Sequence, residues 1–172
     1  MKNIYLAGGC FWGTEKVFKM LDGVTDTTVG YANGHTEDPT YQEVCTDKTG
    51  HRETVKVTYD PERISLQKIL TAYFMVIDPT VRNRQGGDIG TQYQAGVFYD
   101  DSEDLPEIQK VFDAERQKHE MFFVELLPLS CFYTAEEYHQ DYLEKNPTGY
   151  CHVTKAEFDR IRAFNKEKMT DQ

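Results

Sequence analysis

Lys2-Asn3-Ile4-Tyr5-Leu6-Ala7-Gly8-Gly9-Cys10-Phe11-Trp12-Gly13 opens the chain with an apolar run, two glycines and a thiol set before two large aromatics. Lys2–Ala7 reads as a strand. Val17, Phe18 and Leu21 then fall on one face of a short helix over Gly13–Leu21. Cys10 therefore sits at a strand-to-helix turn. A sulfur there meets the unpaired backbone N–H groups and the positive dipole end of the helix that begins near Thr14, and both favour thiolate over thiol. The simpler alternative is a small buried cysteine that fills a tight turn. Phe11 and Trp12 count against it, since two aromatics beside a turn suit the wall of an apolar pocket better than turn chemistry.

Outward from this turn, strand-like and helix-like segments alternate. Val24–Ala32 has the β-branched content of a strand and is closed by Asn33-Gly34. Glu53–Tyr59 alternates apolar and polar residues and stops at Asp60-Pro61. Ser65 caps a helix predicted to run to about Ile77, with Leu66, Ile69, Leu70, Tyr73 and Phe74 at helical spacing. Tyr93–Tyr99 is a fourth strand, Asp104–His119 an amphipathic helix with Pro106 in its first turn, Phe122–Leu127 a further strand, and Ala135–Leu143 a short helix. Thr154-Lys155-Ala156-Glu157 is a capping box for a tail helix over Thr154–Met169. The order strand, helix, strand, strand, helix, strand predicts an α+β fold. Its expected form is a two-layer α/β sandwich, a ferredoxin-like plait with a mainly antiparallel sheet and helices on one face. Residues 34–52 and 78–92 are long, polar, glycine-rich connections between well-formed elements, which marks them as functional loops. With no internal repeat and no low-complexity linker, residues 1–172 read as a single catalytic domain. Residues 152–172 form a C-terminal helical tail or the start of a linker.

Composition narrows the class. The chain has 172 residues, 39% hydrophobic and 13% aromatic, enough for a real core. Its formal net charge is −10 and its Lys and Arg do not cluster, which argues against nucleic acid or an anionic membrane as partner. The cysteines lie at 10, 45, 131 and 151 without a CxxC pair, a pattern of reduced thiols with catalytic or redox use. No pair of His or Cys has metal-binding spacing, so no metal is expected. Leu6-Ala7-Gly8-Gly9-Cys10 is faintly like a lipoprotein cleavage site, but the apolar stretch before it is too short for a signal peptide. No run approaches the roughly 18 apolar residues of a membrane span. A cytoplasmic, monomeric protein is the expectation.

The two long loops carry the remaining candidates. The first holds Tyr41 and leads into Gly50-His51-Arg52-Glu53. The second holds Arg84-Gln85-Gly86-Gly87-Asp88 and then Gly90-Thr91-Gln92-Tyr93. Taken singly, Glu53 is an edge charge, the tyrosines are packing and Asp88 is turn chemistry. Together with the Cys10 turn they resemble the type A peptide methionine sulfoxide reductases. The resemblance rests on Gly8 to Gly13, Gly30-Tyr31-Ala32-Asn33-Gly34, Pro39-Thr40-Tyr41-Gln42-Glu43-Val44-Cys45 and Thr49-Gly50-His51-Arg52-Glu53. It continues through Gly86 to Tyr93, Glu137-Tyr138-His139-Gln140-Asp141-Tyr142-Leu143 and Asn146-Pro147-Thr148-Gly149-Tyr150-Cys151.

The resemblance implies thiol-dependent reduction of methionine S-sulfoxide, free and protein-bound, in the repair of oxidised proteins. Cys10 matches the family's nucleophile and Glu53 its acid, which must stay protonated near neutral pH by burial. Tyr41 and Tyr93 match the phenols that bond the sulfoxide oxygen. Asp88 matches a further polar residue of the pocket, orienting a substrate amide or a water. Phe11 and Trp12 would accept the S-methyl, at about 1–2 kcal/mol of apolar contact, and choose the epimer. Cys151 matches the resolving cysteine, and a Cys10–Cys151 disulfide would be reduced by thioredoxin as the external reductant, with no bound cofactor. Nothing beyond Cys151 matches the second recycling cysteine of some members, which implies a two-cysteine cycle. A packed tail would hold Cys151 away from Cys10. Cys45 and Cys131 read as small packed residues, Cys131 also as a backup for Cys151, and His51 and His139 as structural hydrogen-bonders. Two rivals stay open: a thiol peroxidase or peroxide sensor, and a catalytically silent module that binds oxidised methionine.

Overall fold

The computed structural model describes residues 1–167. The opening run forms β1 (Lys2–Ala7), which leads through Gly8-Gly9-Cys10 into α1 (Phe11–Lys19) and then β2 (Val24–Ala32). A short helix α2 (Tyr41–Cys45) interrupts the first long loop before β3 (Arg52–Tyr59) and α3 (Leu66–Val76). The second long loop folds into a small hairpin of β4 (Arg84–Gln85) and β5 (Asp88–Ile89) and a 3-10 turn at Thr91–Tyr93, before β6 (Gly96–Tyr99). α4 (Leu105–Arg116), β7 (Glu125–Pro128), β8 (Phe132–Thr134), α5 (Tyr142–Lys145) and α6 (Lys155–Lys166) complete the chain.

Six strands form one mixed sheet in the order β7-β6-β1-β3-β2-β8. β1 lies between β3 and β6 and runs antiparallel to both, with Leu6 opposite Val55 and Val97. β2 is antiparallel to β3 and β8, while β7 runs parallel to β6. The period of two along β1 sorts its side chains. Ile4 and Leu6 face the helices and, with Val55 and Val57, pack among Val17 and Phe18 of α1, Ile69 and Leu70 of α3 and Ile161 of α6. Each is fully covered, which is worth about 1.5–3 kcal/mol per side chain. Tyr5 and Ala7 face the other way, where with Ala32 and Phe98 they are covered by Leu129 and Phe132 as the chain passes from β7 at one edge to β8 at the other.

Most elements lie where the sequence pattern places them. Ser65 accepts the Lys68 N–H as the α3 cap, and Thr154 with Glu157 closes a full capping box on α6. Lys168 and Met169 of the predicted tail lie outside the described residues. Three differences have physical causes. The segment predicted as a helix over Ala135–Leu143 is broken. Gln140 gives its side-chain amide to both the N–H and the C=O of Val29 on β2, and Asp141 turns to φ 54°. The strand predicted from Phe122 begins only at Glu125, because Phe123 donates its N–H to the Pro79 carbonyl and its own C=O accepts from the Gln94 side-chain amide. The strand predicted from Tyr93 begins at Gly96, since Tyr93 belongs to the 3-10 turn.

One bond ties the helix layer to the site. Tyr73 of α3, fully buried, donates its O–H to the Ala7 carbonyl at 2.6 Å, one residue before the Gly8-Gly9-Cys10 turn. Gly8 leaves room for Ile77 at the end of the same helix, since a Cβ there would meet the Ile77 side chain at 2.7 Å. Tyr73→Phe keeps the packing and removes the bond, and should cost about 1–2 kcal/mol in urea unfolding.

Candidate active site

Cys10 is the N-cap residue of α1, and its thiol is 7% exposed. Three features hold the turn around it. Gly9 adopts φ 74° and donates its N–H to the Tyr93 carbonyl at 3.2 Å, and the Thr14 hydroxyl reaches back to the Gly8 carbonyl at 3.1 Å. The helix N-terminus does act on the sulfur, for the Trp12 N–H bond lowers its pKa. Burial acts more strongly in the opposite direction, and the neighbouring Glu53 carboxylate adds to it, so the thiol pKa is raised. The resting sulfur is thus a thiol, not the thiolate that the helix end alone predicts.

Glu53 enters from β3, one strand away, and is 1% exposed. Its Oε1 accepts the Phe11 N–H at 3.2 Å, while Oε2 is buried without a partner among the described residues. Burial pushes its pKa up to about 8, the Phe11 N–H opposes this and Asp88 adds to it. A protonated carboxyl is therefore its neutral-pH state, hydrogen-bonded to the first residue of the helix that Cys10 caps.

The two long loops bring the phenols to the same place. Tyr41 opens α2, whose cap is a full capping box at Thr40 and Glu43. The Tyr41 N–H donates to Glu136 Oε2 at 3.0 Å, and Glu136 Oε1 accepts the Tyr31 hydroxyl at 2.8 Å. Thr91 donates its N–H to Asp47, which joins the Tyr41 loop to the Tyr93 turn. Burial raises both phenol pKa values and Glu53 raises them further, so both remain O–H donors. Phe11 is 1% exposed, packed 5.8 Å from the Tyr31 ring, whereas Trp12 is only half-buried and stacks on Tyr142 at 3.8 Å. Trp12 donates its indole N–H to His139 Nδ1 at 3.0 Å, which leaves the His139 proton on Nε2.

The segment carrying Cys151 lies against the turn. Tyr150 donates its hydroxyl to Asp88 Oδ1 at 2.9 Å, and His152 Nδ1 stands 4.0 Å from Asp88 Oδ2. The Cys151 sulfur packs on the first turn of α1, 2.8 Å from the point that a Cβ on Gly13 would occupy, so the packed tail seats the second thiol on the helix that Cys10 caps. Cys10, Glu53, Tyr41, Tyr93, Asp88, Trp12 and Cys151 thus converge at one end of the sheet, with Phe11 behind them. The other cysteines do not. Cys131 packs at the Asn33-Gly34 turn, its thiol toward the Gly34 carbonyl at 3.7 Å. Cys45 is exposed at the end of α2, not packed as its apolar neighbours predict. His51 accepts the Gly34 N–H at 3.1 Å and pairs with the Thr36 carbonyl, a structural bond as expected.

The sequence model of the family described as peptide methionine sulfoxide reductase matches residues 2–172. The chain belongs to this family. The peptide methionine sulfoxide reductase MsrA of Clostridium acetobutylicum is 56% identical over 156 residues, covering 90% of this chain and 96% of that protein. The reduced form of Mxr1 from Saccharomyces cerevisiae superposes with a TM-score of 0.84 at 40% identity, over 89% of this chain and 91% of that one. Mxr1 in complex with Trx2 matches at a TM-score of 0.60 and 30% identity, over 82% and 84%.

Two contributors to this reductase site escape a sequence reading. Glu136 anchors Tyr41 and Tyr31 together, yet in sequence it is one of two adjacent acids before a tyrosine. Gln140 pins the His139 segment to β2, a role that its place in the Glu137–Leu143 motif does not reveal. A signal exists only for His139, as a histidine within an aromatic cluster that it joins at 4.1–5.7 Å from four rings.

The Glu53 shift makes stability depend on pH with a defined sign. Its folded pKa of about 8 lies above the ordinary 4.5. Below that ordinary value both folded and unfolded chains hold the proton. Above it the unfolded chain ionises first, so folding free energy is lost progressively up to about pH 8 and is constant beyond. Glu53→Gln removes this dependence. Urea titrations should show the variant gaining on the wild-type reductase between about pH 5 and 8, by on the order of 3–5 kcal/mol in total. Glu15, raised by burial to about 7, titrates in the same window but cancels in the difference.

Proposed function

We propose that this reductase acts on the S-epimer of methionine sulfoxide, free or in proteins, through Cys10, Glu53 and Cys151. The observation that carries the assignment is the buried Glu53 carboxyl, its Oε2 unpartnered, its Oε1 on the N–H of the residue after Cys10. The sulfoxide sulfur is electrophilic, and its oxygen cannot leave as oxide. Glu53 gives its proton to that oxygen as the Cys10 sulfur attacks, and the Cys10 proton replaces it on the carboxylate. In sum, sulfoxide and thiol become methionine and a Cys10 sulfenic acid, with no net gain or loss of protons. A paired neutral thiol and neutral acid suits this exchange, because neither charge is formed in the buried site until substrate arrives. The Tyr41 and Tyr93 hydroxyls donate to the sulfoxide oxygen. Trp12 offers the half-open apolar wall for the S-methyl, and Phe11 supports it from the core. Asp88 orients a substrate amide or a water.

The sulfenic acid condenses with the Cys151 thiol, releasing water and leaving a Cys10–Cys151 disulfide. Thioredoxin reduces that bridge by thiol–disulfide exchange, a reading supported by the Mxr1–Trx2 complex among the similar structures. No bound cofactor takes part. We further read residues 1–172 as one catalytic domain, monomeric and cytoplasmic, with the tail from residue 152 as part of it. We also read the fold as a ferredoxin-like plait with a mainly antiparallel sheet, a reading that the inner strand order β6-β1-β3-β2 supports. Among the described residues no helix is long and apolar enough to cross a membrane.

Single-turnover assays with each sulfoxide epimer test the assignment. Cys10→Ser should give no methionine. Glu53→Gln should slow the burst by about 10²–10⁴-fold, and an unchanged burst would remove Glu53 as the acid. Cys151→Ser should yield one methionine per enzyme and then stall with thioredoxin; continued turnover would exclude Cys151 as the resolving thiol.

A further inference from the structure

Gly13 is the third residue of α1, buried, and not at a positive φ. Neither turn geometry nor helix propensity asks for glycine there, since glycine weakens a helix relative to alanine. The place a Cβ would occupy accounts for it. That point lies 2.8 Å from Cys151 Sγ, 3.2 Å from Val153 Cγ2 and 3.4 Å from His152 Cε1. The three nearest atoms all belong to consecutive residues of the resolving segment. Gly9, a glycine that its positive φ already requires, also lies under this segment, its missing Cβ 2.9 Å from His152 Nε2 and 3.0 Å from Gln85 Cβ. Val153 is 4% exposed and forms part of the main core, so the segment is seated on α1 and not merely close to it.

We infer that Gly13 is a positioning residue for the second half of the reaction: its bare backbone is the seat that holds the Cys151 sulfur beside Cys10. The inference rests on the Cys10–Cys151 disulfide proposed above. In that step the Cys151 sulfur attacks the Cys10 sulfenyl sulfur, one S–S bond forms, the S–O bond breaks, and hydroxide leaves with the Cys151 proton as water. The oxidising equivalent comes from the sulfoxide, so no other oxidant is needed. An added methyl at position 13 displaces the sulfur by contact, because a Cβ at 2.8 Å from Sγ is well inside van der Waals separation. It touches nothing on the Glu53 side of Cys10 among its nearest neighbours.

The test is Gly13→Ala, mixed with one equivalent of methionine S-sulfoxide without thioredoxin. Methionine release, dimedone trapping of the sulfenic acid and peptide mapping of the disulfide are followed in parallel. The methionine burst should match wild type. Disulfide formation should slow at least tenfold, with the sulfenic acid persisting and Cys151 still alkylatable. Val153→Ala takes a wall off the same seat from the other side and should show the same split. Wild-type disulfide rates in both variants overturn the inference. So does a methionine burst slowed as much as the disulfide step, since Gly13 would then serve the sulfoxide step or the fold. If wild-type protein itself forms no Cys10–Cys151 bridge, the disulfide reading fails and this inference falls with it. A normal bridge in wild type and in both variants removes the seat alone.

Discussion

The burial of one carboxyl beside one thiol is the constraint on which this structure turns. Glu53 is held in the core with a single N–H bond and one unpartnered oxygen, a state that costs free energy unless the group is neutral. Everything around it serves to keep water out. Phe11 lies against Tyr31, the Tyr41 and Tyr93 loops close from two sides, and residues 150–152 cover the Cys10 turn. The same desolvation that keeps Glu53 protonated raises the Cys10 pKa, so the two groups form a neutral pair. Carboxyl and thiol are therefore tuned by one shared environment and not by separate local motifs.

That environment depends on loops, and the loops are held by buried side-chain amides acting as strand surrogates. Gln85 bonds both the N–H and the C=O of Asp78, each at 2.8 Å. Gln94 accepts from the Asn83 N–H and donates to the Ala95 and Phe123 carbonyls. Gln140 does the same for Val29 and Ala135. Each satisfies backbone groups that an irregular segment would otherwise bury unpaired, which explains how long polar connections pack this closely. Arg52 adds a bidentate pair with Glu125 at 3.0 and 2.8 Å and bonds to the Asn33 and Gly50 carbonyls, closing the loop entrance next to Glu53.

Legibility followed the range of the forces involved. α3 and α6 could be read to within a residue or two at their starts, because Ser65 and Thr154 cap them locally and their apolar positions recur at helical spacing. β1, β2 and β3 were legible from equally short-range signals, an apolar run, β-branched content and apolar–polar alternation respectively. β8 was not, for Phe132–Thr134 carries no pattern of its own and becomes a strand only by pairing with Gly30–Ala32. Ala135–Leu143 read as a helix because its spacing allows one, and lost it to a tertiary bond from Gln140. Among site residues, Cys10 and Glu53 stood out through their motifs, whereas Glu136 and His139 act through partners about a hundred residues away.

What the sequence determined by itself was the order of the main strands and helices from β1 to β7, the strand-to-helix turn that presents Cys10, and the family to which those motifs belong. These follow from side-chain periodicity, capping and glycine turns, all of which act over a few residues. The tertiary structure alone decided the charge of Cys10 and Glu53, the exposure of Cys45, and the place of Cys151 against Gly13. Protonation depends on how much water is excluded by groups from every part of the chain, and a helix end that favours thiolate is outweighed once that exclusion is complete. A segment seated on α1 by residues 151–153 is likewise a fact of packing, visible only when the two ends of the chain meet.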